Sequence, residues 1–497
     1  MANGETRACA GCFGDTFLKR EIKRNGQEGV CGYCGRSSNT LGLEELADLF
    51  KAAFDAHYQR TASEQSPFEQ AIGSPWSRDG QPVLELMQEI GETTKEIAED
   101  IRNLLESRHY AGEDYEMDIE NEFDVNSCYE SRAVPRGDLD AEWNLFEHRL
   151  KTESRYFSHT AMRTLDKVFN DIKDHHTYQG ASVIVDAGPN GTIKELYRAR
   201  VFQSEESLFT ALERPEISIG PVPMAVAGAG RMNAHGIPVF YGATHPEVAL
   251  AEVRPPVGSK VVVAKFNIVR PLRLLDVAFL RSLFVGGSPF DPMCLAHKQK
   301  AQFLDELSER ITMPVVPDDE ALKYIPTQII AEYLASLDNP TLDGMMYPSA
   351  QIDKDLQAAE EMKNVVLFHK AAVVVKVKRP EGVKFKVRDH ENYIEGPEIE
   401  YSVVEEFDSE VPGLPREEPT VDELIDEVMA ADNAVVDRRE PALELSKENV
   451  FTYIIKGVEI KSDNFQVTRR ELDKKTLREF EKSPAKWMPG KRPADSI

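Results

Sequence analysis

Cys9-x-x-Cys12 is followed, after eighteen residues, by Cys31-x-x-Cys34, and no other feature restricts the fold of this chain so tightly. Two such knuckles bring four thiolates to one tetrahedral ion, and Gly11, Gly14, Gly32 and Gly35 allow the tight turns this requires. The spacing is that of a zinc ribbon. Four sulfur ligands leave no open position for water, so the zinc expected at Cys9, Cys12, Cys31 and Cys34 is structural, holding together residues 1–40, which have too little apolar sequence for a core. An iron–sulfur centre or a redox dithiol are the alternatives the spacing leaves open. Lys19, Arg20, Lys23 and Arg24 lie between the knuckles, diluted by Asp15, Glu21 and Glu28. They read first as the solvated face of a small unit, and they are the one place where nucleic acid is admitted as a partner.

The rest of the chain is too long for one core. At 497 residues, two to four folded units are expected. A formal charge of -26 excludes a protein whose whole surface tracks nucleic acid or an anionic membrane. The N-terminal MANGETRACAG has no apolar signal region, and no later stretch reaches the roughly 18 uninterrupted apolar residues of a spanning helix. A cytoplasmic chain with no membrane partner is the expectation. Cys128 and Cys294 stand alone and receive no role.

From Leu41 to Asp174 the apolar spacing is helical: Leu43, Leu46, Phe50 and Phe54, then Leu84, Met87, Ile90, Ile97, Ile101 and Leu104, then Ala161–Ile172. Residues 41–180 read as an all-α domain, interrupted near 110–140 by an acidic connection. Beyond Lys194 short β-type runs take over, LYRARVF, IPVFYGA, KVVVAKFNIV and LRLLDV, with helical interludes at Pro246–Val253 and Thr327–Leu337. NVVLF and AAVVVKVK close this region near Lys378. Strands without regular crossover helices imply an α+β fold rather than a doubly wound parallel sheet. Residues 379–497 shift to Glu, Asp and Pro and read as an acidic linker, with the apolar run VFTYIIKGVEI and a charged helix around RRELDKKTLREFEKS beyond it.

Within the β-rich region, LYRARVF, AGRMNAHGIPVFYGATHPEVALAEVRPP and the distant DGMMYPSAQ appear in order. Together they resemble the RES family, whose patterns run YR, GGRW, YxA, AxxE and a late PS, over roughly residues 190–378. By that resemblance the Arg of the first element is Arg198, the Glu is Glu252 in ALAEV, and the Ser is Ser349 in YPSA. Arg231 and Tyr241 match two further positions. Ala229 and Met232 depart from GGRW, and Ser282–Ile325 looks like an insertion the family varies. A ribbon followed by helices is likewise similar to the N-terminal module shared by some HEPN and RES proteins.

The resemblance implies a fold of the ADP-ribosyltransferase type and cleavage of the nicotinamide–ribose bond of NAD+, by glycohydrolysis or phosphorolysis, as in toxins restrained by an antitoxin or regulatory partner. The residue chemistry suits that expectation. Departure of nicotinamide leaves an oxocarbenium-like ribose, which the Glu252 carboxylate would stabilise, with Arg198 and Ser349 beside it as catalytic candidates. Arg198 and Arg231 would grip the phosphates in bidentate fashion. Tyr241 would stack on the nicotinamide at about 1 kcal/mol, and Ser349 would hydrogen-bond its amide or ribose. Asn233 shares the loop and joins the cofactor-binding set. Each residue alone would read as surface or core; only the joint match carries the reading. Transfer of ADP-ribose to a protein or nucleic acid, and a non-enzymatic adaptor holding NAD+ as a ligand, stand as alternatives.

Overall fold

The structure, a computed structural model, describes residues 6–66, 71–72, 76–109, 121–155, 158–352, 362–379, 383–393, 396–407 and 439–459. Strands β1 (Arg7–Cys9), β2 (Gln27–Val30) and β3 (Ser37–Gly42) form an antiparallel sheet with β3 in the middle. Helix Thr16–Asn25 connects the two knuckles, and Asp15 caps it by accepting from the Leu18 amide at 2.8 Å. Helices Leu43–His57, Val83–Gly91 and Lys95–His109 follow where the apolar period demands them. Their Leu46, Phe50, Phe54, Met87, Ile97 and Ile101 are buried with Phe13, Leu18, Ile22 and Leu41. The cysteine-bearing segment therefore shares the core of the helices. A small sheet of β4 (Tyr58–Arg60), β5 (Gln81–Pro82) and β6 (Cys128–Ser131) is added to this helical region.

The second half is built on a mixed sheet of β7 (Ile184–Ala187), β8 (Glu195–Phe202), β9 (Phe240–Ala243), β10 (Lys260–Ile268), β11 (Leu272–Asp276), β12 (Gly344–Pro348) and β13 (Lys363–Leu367). The hairpin β14 (Lys384–Tyr393) and β15 (Gly396–Glu406) stands apart, and β16 (Leu443–Ile454) completes the sheet. Its order is β16-β10-β8-β9-β13-β12-β11-β7, antiparallel except between β11 and β12. The fold is α+β. Alternation along each strand divides the core. Leu196, Phe240, Val262, Phe266, Val365 and Leu367 face one side with helix Glu205–Glu213. Leu275, Met345, Tyr347 and Val366 face the other. Helices Asp138–Thr152, His159–Phe169, Pro292–Thr312 and Ile325–Ser336 cover that side through Trp143, Leu165, Phe303 and Ile330.

Several sequence expectations change here. The expected helical region 41–180 divides between two cores, because its last two helices pack on the sheet while the first three pack with the cysteine-bearing segment. The stretch Ser282–Ile325 carries a 21-residue helix, and Phe290 just ahead of it is buried in the N-terminal core, 4.8 Å from Phe50 between ring centroids. Ser288 also donates to Asp15 at 3.0 Å. Ala371–Lys378, expected as a strand, makes only a bridge from Val374 to Leu443 and lies against the start of β16. Lys384–Glu406, expected within an acidic linker, forms the β14–β15 hairpin, where alternation buries Val387 and Tyr401 partly and leaves Lys386 paired with Glu406. The run VFTYI lies in β16 and pairs with β10. The charged helix expected around 469–483 and most of the acidic stretch lie outside the described residues. No helix among the described residues is long and apolar enough to cross a membrane.

Candidate active site

Strands β8 and β9 pair at one position, Tyr197 with Ala243. Otherwise β8 pairs with β10, over eight positions from Glu195 to Phe202, while β9 follows β13, so the two strands part and a cleft opens between them. Gly242 sits at the parting point. A Cβ there would lie 3.1 Å from the Tyr197 carbonyl oxygen and 2.6 Å from the Phe240 ring, so only glycine lets β9 pass so close to β8.

The cleft holds a cavity of about 280 Å³, lined by Tyr197, Arg198, Tyr241, Glu252, Tyr347 and Asn364 among others. Glu252 is the last residue of helix Pro246–Glu252, which proline at its first position starts. The carboxylate Oε1 accepts from Ser349 Oγ at 2.6 Å and from Asn364 Nδ2 at 2.8 Å. Ser349, just past β12, is 1% exposed, and its hydroxyl also accepts from the Gln351 amide at 3.1 Å. The structure thus joins Glu252 and Ser349, 97 residues apart in sequence.

Arg198 reaches the same cavity with its guanidinium over the Phe240 ring, 5.1 Å from the centroid. Its NH1 is buried with no hydrogen-bond partner among the described residues. Burial, and then the charge of Arg200, lower its pKa to about 10. A guanidinium keeps five donors, and leaving one dry and unpaired is costly unless a ligand supplies the acceptor.

Tyr241 lines the cavity, and its hydroxyl is spent on the neighbouring loop. The hydroxyl accepts from the Met232 amide at 3.0 Å and donates to Asn233 Oδ1 at 2.8 Å. Burial pushes it up to about 12, so it remains a donor at neutral pH. Asn233 Nδ2 in turn donates to the carbonyls of Gly228, Ala234 and Ile237. Its amide is fully engaged in shaping the 228–237 loop, and Gly230 is required there because a Cβ would come within 2.6 Å of the Tyr241 hydroxyl. Met232 is buried in the core beneath the helices, where its volume, not ring stacking, is what matters.

Arg231 stands behind the cavity wall, where its charge acts on Tyr241 and Tyr347. Its NH1 donates to the Ile311 carbonyl at 2.7 Å and its guanidinium lies 5.5 Å from the Tyr324 ring centroid. It is not among the residues lining the cavity of Glu252. Asn364 and Tyr347, which do line it, were not singled out from the sequence. The sequence offers only an ambiguous signal for Asn364, a polar residue opening the apolar run NVVLF, which marks a strand end as readily as a site.

Cys9, Cys12, Cys31 and Cys34 converge so that all four sulfurs lie within 4.8 Å of one another. The separations of Cys9 from Cys12, Cys9 from Cys34 and Cys12 from Cys31 are 3.8, 3.5 and 3.6 Å. Tetrahedral bonds of about 2.3 Å to zinc would set sulfurs about 3.8 Å apart, so the cluster is compatible with a zinc ribbon.

Residues 195–392 match the family model of the RES domain, and residues 24–164 match that of the HEPN/RES N-terminal domain 1. The second match runs across both cores described above. RES domains are associated with NAD+-related toxin function, which points to an NAD+-acting enzyme. Neither the curated proteins nor the solved structures contain a match to this chain.

Proposed function

Taking the RES match as premise, we propose that this chain cleaves the nicotinamide–ribose bond of NAD+, passing ADP-ribose to water or to inorganic phosphate. One observation carries the reading: a carboxylate held by two donors shares a cavity with a buried guanidinium that has an unpaired NH1. The bond between C1′ and the pyridinium nitrogen breaks with its electron pair going to nitrogen, which neutralises the ring. The ribose becomes cationic, and Glu252 faces that charge more strongly in the transition state than in the ground state. Water or phosphate then bonds to C1′; in the case of water the released proton passes to solvent. Arg198 supplies the donor for an anionic or carbonyl group of the dinucleotide, and the Tyr241 ring offers a stacking face for nicotinamide. Ser349 acts by orienting Glu252. Asn233 shapes the loop behind Tyr241, and Arg231 would reach a phosphate only after leaving Ile311.

The remaining assignments belong to the same proposal. Zinc at the four cysteines holds residues 6–42 against the helices and takes no part in the chemistry. The chain is a toxin or defence effector acting in the cytoplasm, restrained by a protein partner.

The test follows nicotinamide and ADP-ribose products by chromatography, with and without phosphate, for the wild type and Glu252→Gln. Nicotinamide release that falls at least a hundredfold in the variant, with NAD+ still bound, supports the reading. An inert wild type across phosphate concentrations refutes it, and label appearing on a macromolecule redirects it to ADP-ribose transfer.

A further inference from the structure

Glu252 ends a helix of seven residues, and among the described residues the donors to its carboxylate come from outside that helix. What fixes it comes from two other strands. Ser349, past the end of β12, and Asn364, in β13, converge on the same oxygen, Oε1. Among the described residues Oε2 accepts no hydrogen bond. The carboxylate is therefore held asymmetrically, with Oε1 pinned by two donors and Oε2 by none of the described residues.

Asn364 is itself held in place by its neighbour. The Lys363 carbonyl accepts from the Thr244 amide at 3.0 Å and the Lys363 amide donates to Thr244 Oγ1 at 2.9 Å. On the opposite sheet face the Lys363 ammonium lies 2.5 Å from Asp276 Oδ2, with the Phe279 ring 4.7 Å away. A residue tied at its amide, carbonyl and side chain leaves the next Cα–Cβ bond one direction, and Asn364, 5% exposed, points at Glu252.

We infer that Asn364 is a positioning residue for the proposed NAD+ cleavage: its amide, aimed by the clamp on residue 363, selects the orientation of Glu252 in which Oε2 meets the ribose. The inference rests on the reading of the site given above. Asn364 acts through Glu252, so its loss lowers kcat and leaves KM nearly unchanged, whereas a residue gripping NAD+ directly would raise KM.

Two variants and one structure test this. Asn364→Leu keeps the volume without the donor and is expected to lower kcat about tenfold to a hundredfold, the range for a lost hydrogen bond to a charged group, with KM for NAD+ changed less than about twofold. Asn364→Asp places two carboxylates in contact, which cannot both ionise readily. With one shared proton the new carboxyl donates as the amide did, so this variant approaches wild-type turnover at acid pH and loses it as pH rises, a fall the wild type lacks. A packing role would give a loss independent of pH. A crystal structure of Asn364→Leu reads the geometry without substrate: Glu252 is expected to leave its position while β13 stays. Should the wild type fail to cleave NAD+, the proposed reaction falls and this structural arm alone judges the positioning. An unmoved Glu252, unchanged kcat, or a rise in KM without loss of kcat overturns the inference.

Discussion

Replacing Arg198 by methionine is expected to stabilise the protein and remove its ability to bind NAD+. The guanidinium is lowered by burial to about 10. A base whose folded value lies below its unfolded one destabilises the fold at every pH where it is charged. The cost is full at pH 7, shrinks only as pH rises through about 10, and vanishes above the unfolded value. A depression of this size corresponds to about 3 kcal/mol, which solvent in the open cleft reduces. Methionine also forfeits the contact with Phe240, worth about 0.5–1 kcal/mol. A net gain of about 1–2 kcal/mol remains, or a rise of about 5 °C in the melting midpoint for a unit of this size. Scanning calorimetry with and without NAD+ makes the measurement. The wild-type midpoint should climb with ligand by mass action, and the variant, starting higher, should not respond. A variant that melts below the wild type, or still shifts with NAD+, refutes the argument that the orphan NH1 is kept for a ligand.

Lys363→Met should cost about 3–5 kcal/mol in urea unfolding, because it leaves the Asp276 carboxylate, 1% exposed, without its partner. Burial already raises Asp276, and a carboxyl raised in the folded state loses stability as pH rises through its folded value. The deficit of this variant should therefore shrink on going from pH 7 to about pH 5; an unchanged deficit would count against the pair. Elemental analysis should find one zinc per chain, and stripping it with a chelator should speed amide exchange in residues 6–60 while the exchange of β10, β12 and β13 holds. Uniform protection after stripping would argue against the structural metal.

Much of the site was legible because its parts are motif elements on regular structure. The order of LYRARVF, ALAEV and YPSA was enough to name Arg198, Glu252 and Ser349 as one set, but it aimed the Ser349 hydroxyl at the dinucleotide, whereas the structure turns that hydroxyl to Glu252. The directions in which side chains spend their hydrogen bonds were not legible. Asn233 and Tyr241 were chosen for a dinucleotide, yet the amide and the hydroxyl serve each other and the loop. Arg231 is drawn away by Ile311, which sits in a helix that the sequence pattern hides. Pro292–Thr312 puts Phe303, Leu304, Leu307 and Ile311 in its second half and a polar run, HKQKAQ, in its first, so the helical period is weak over much of its length. Asn364 was missed because an asparagine opening an apolar run reads as a boundary. Only the pairing of β13 between β9 and β12 shows it to be central. Similarly, the partner of β10 comes from past residue 440, a separation no local pattern encodes.

The seating of Phe290 among Phe50 and the N-terminal helices bears on how such a chain can be cut or exchanged. A truncation near residue 180 would strip Trp143, Phe146 and Leu165 from one side of the sheet and leave Phe290 without its socket. Its effect on activity would then report damage before it reported regulation. The same interlock means that the N-terminal half cannot be grafted onto a catalytic half lacking the 284–291 segment without leaving an open hole. Whatever lineage carries one of these two pieces should carry the other, and each should vary in step with its counterpart.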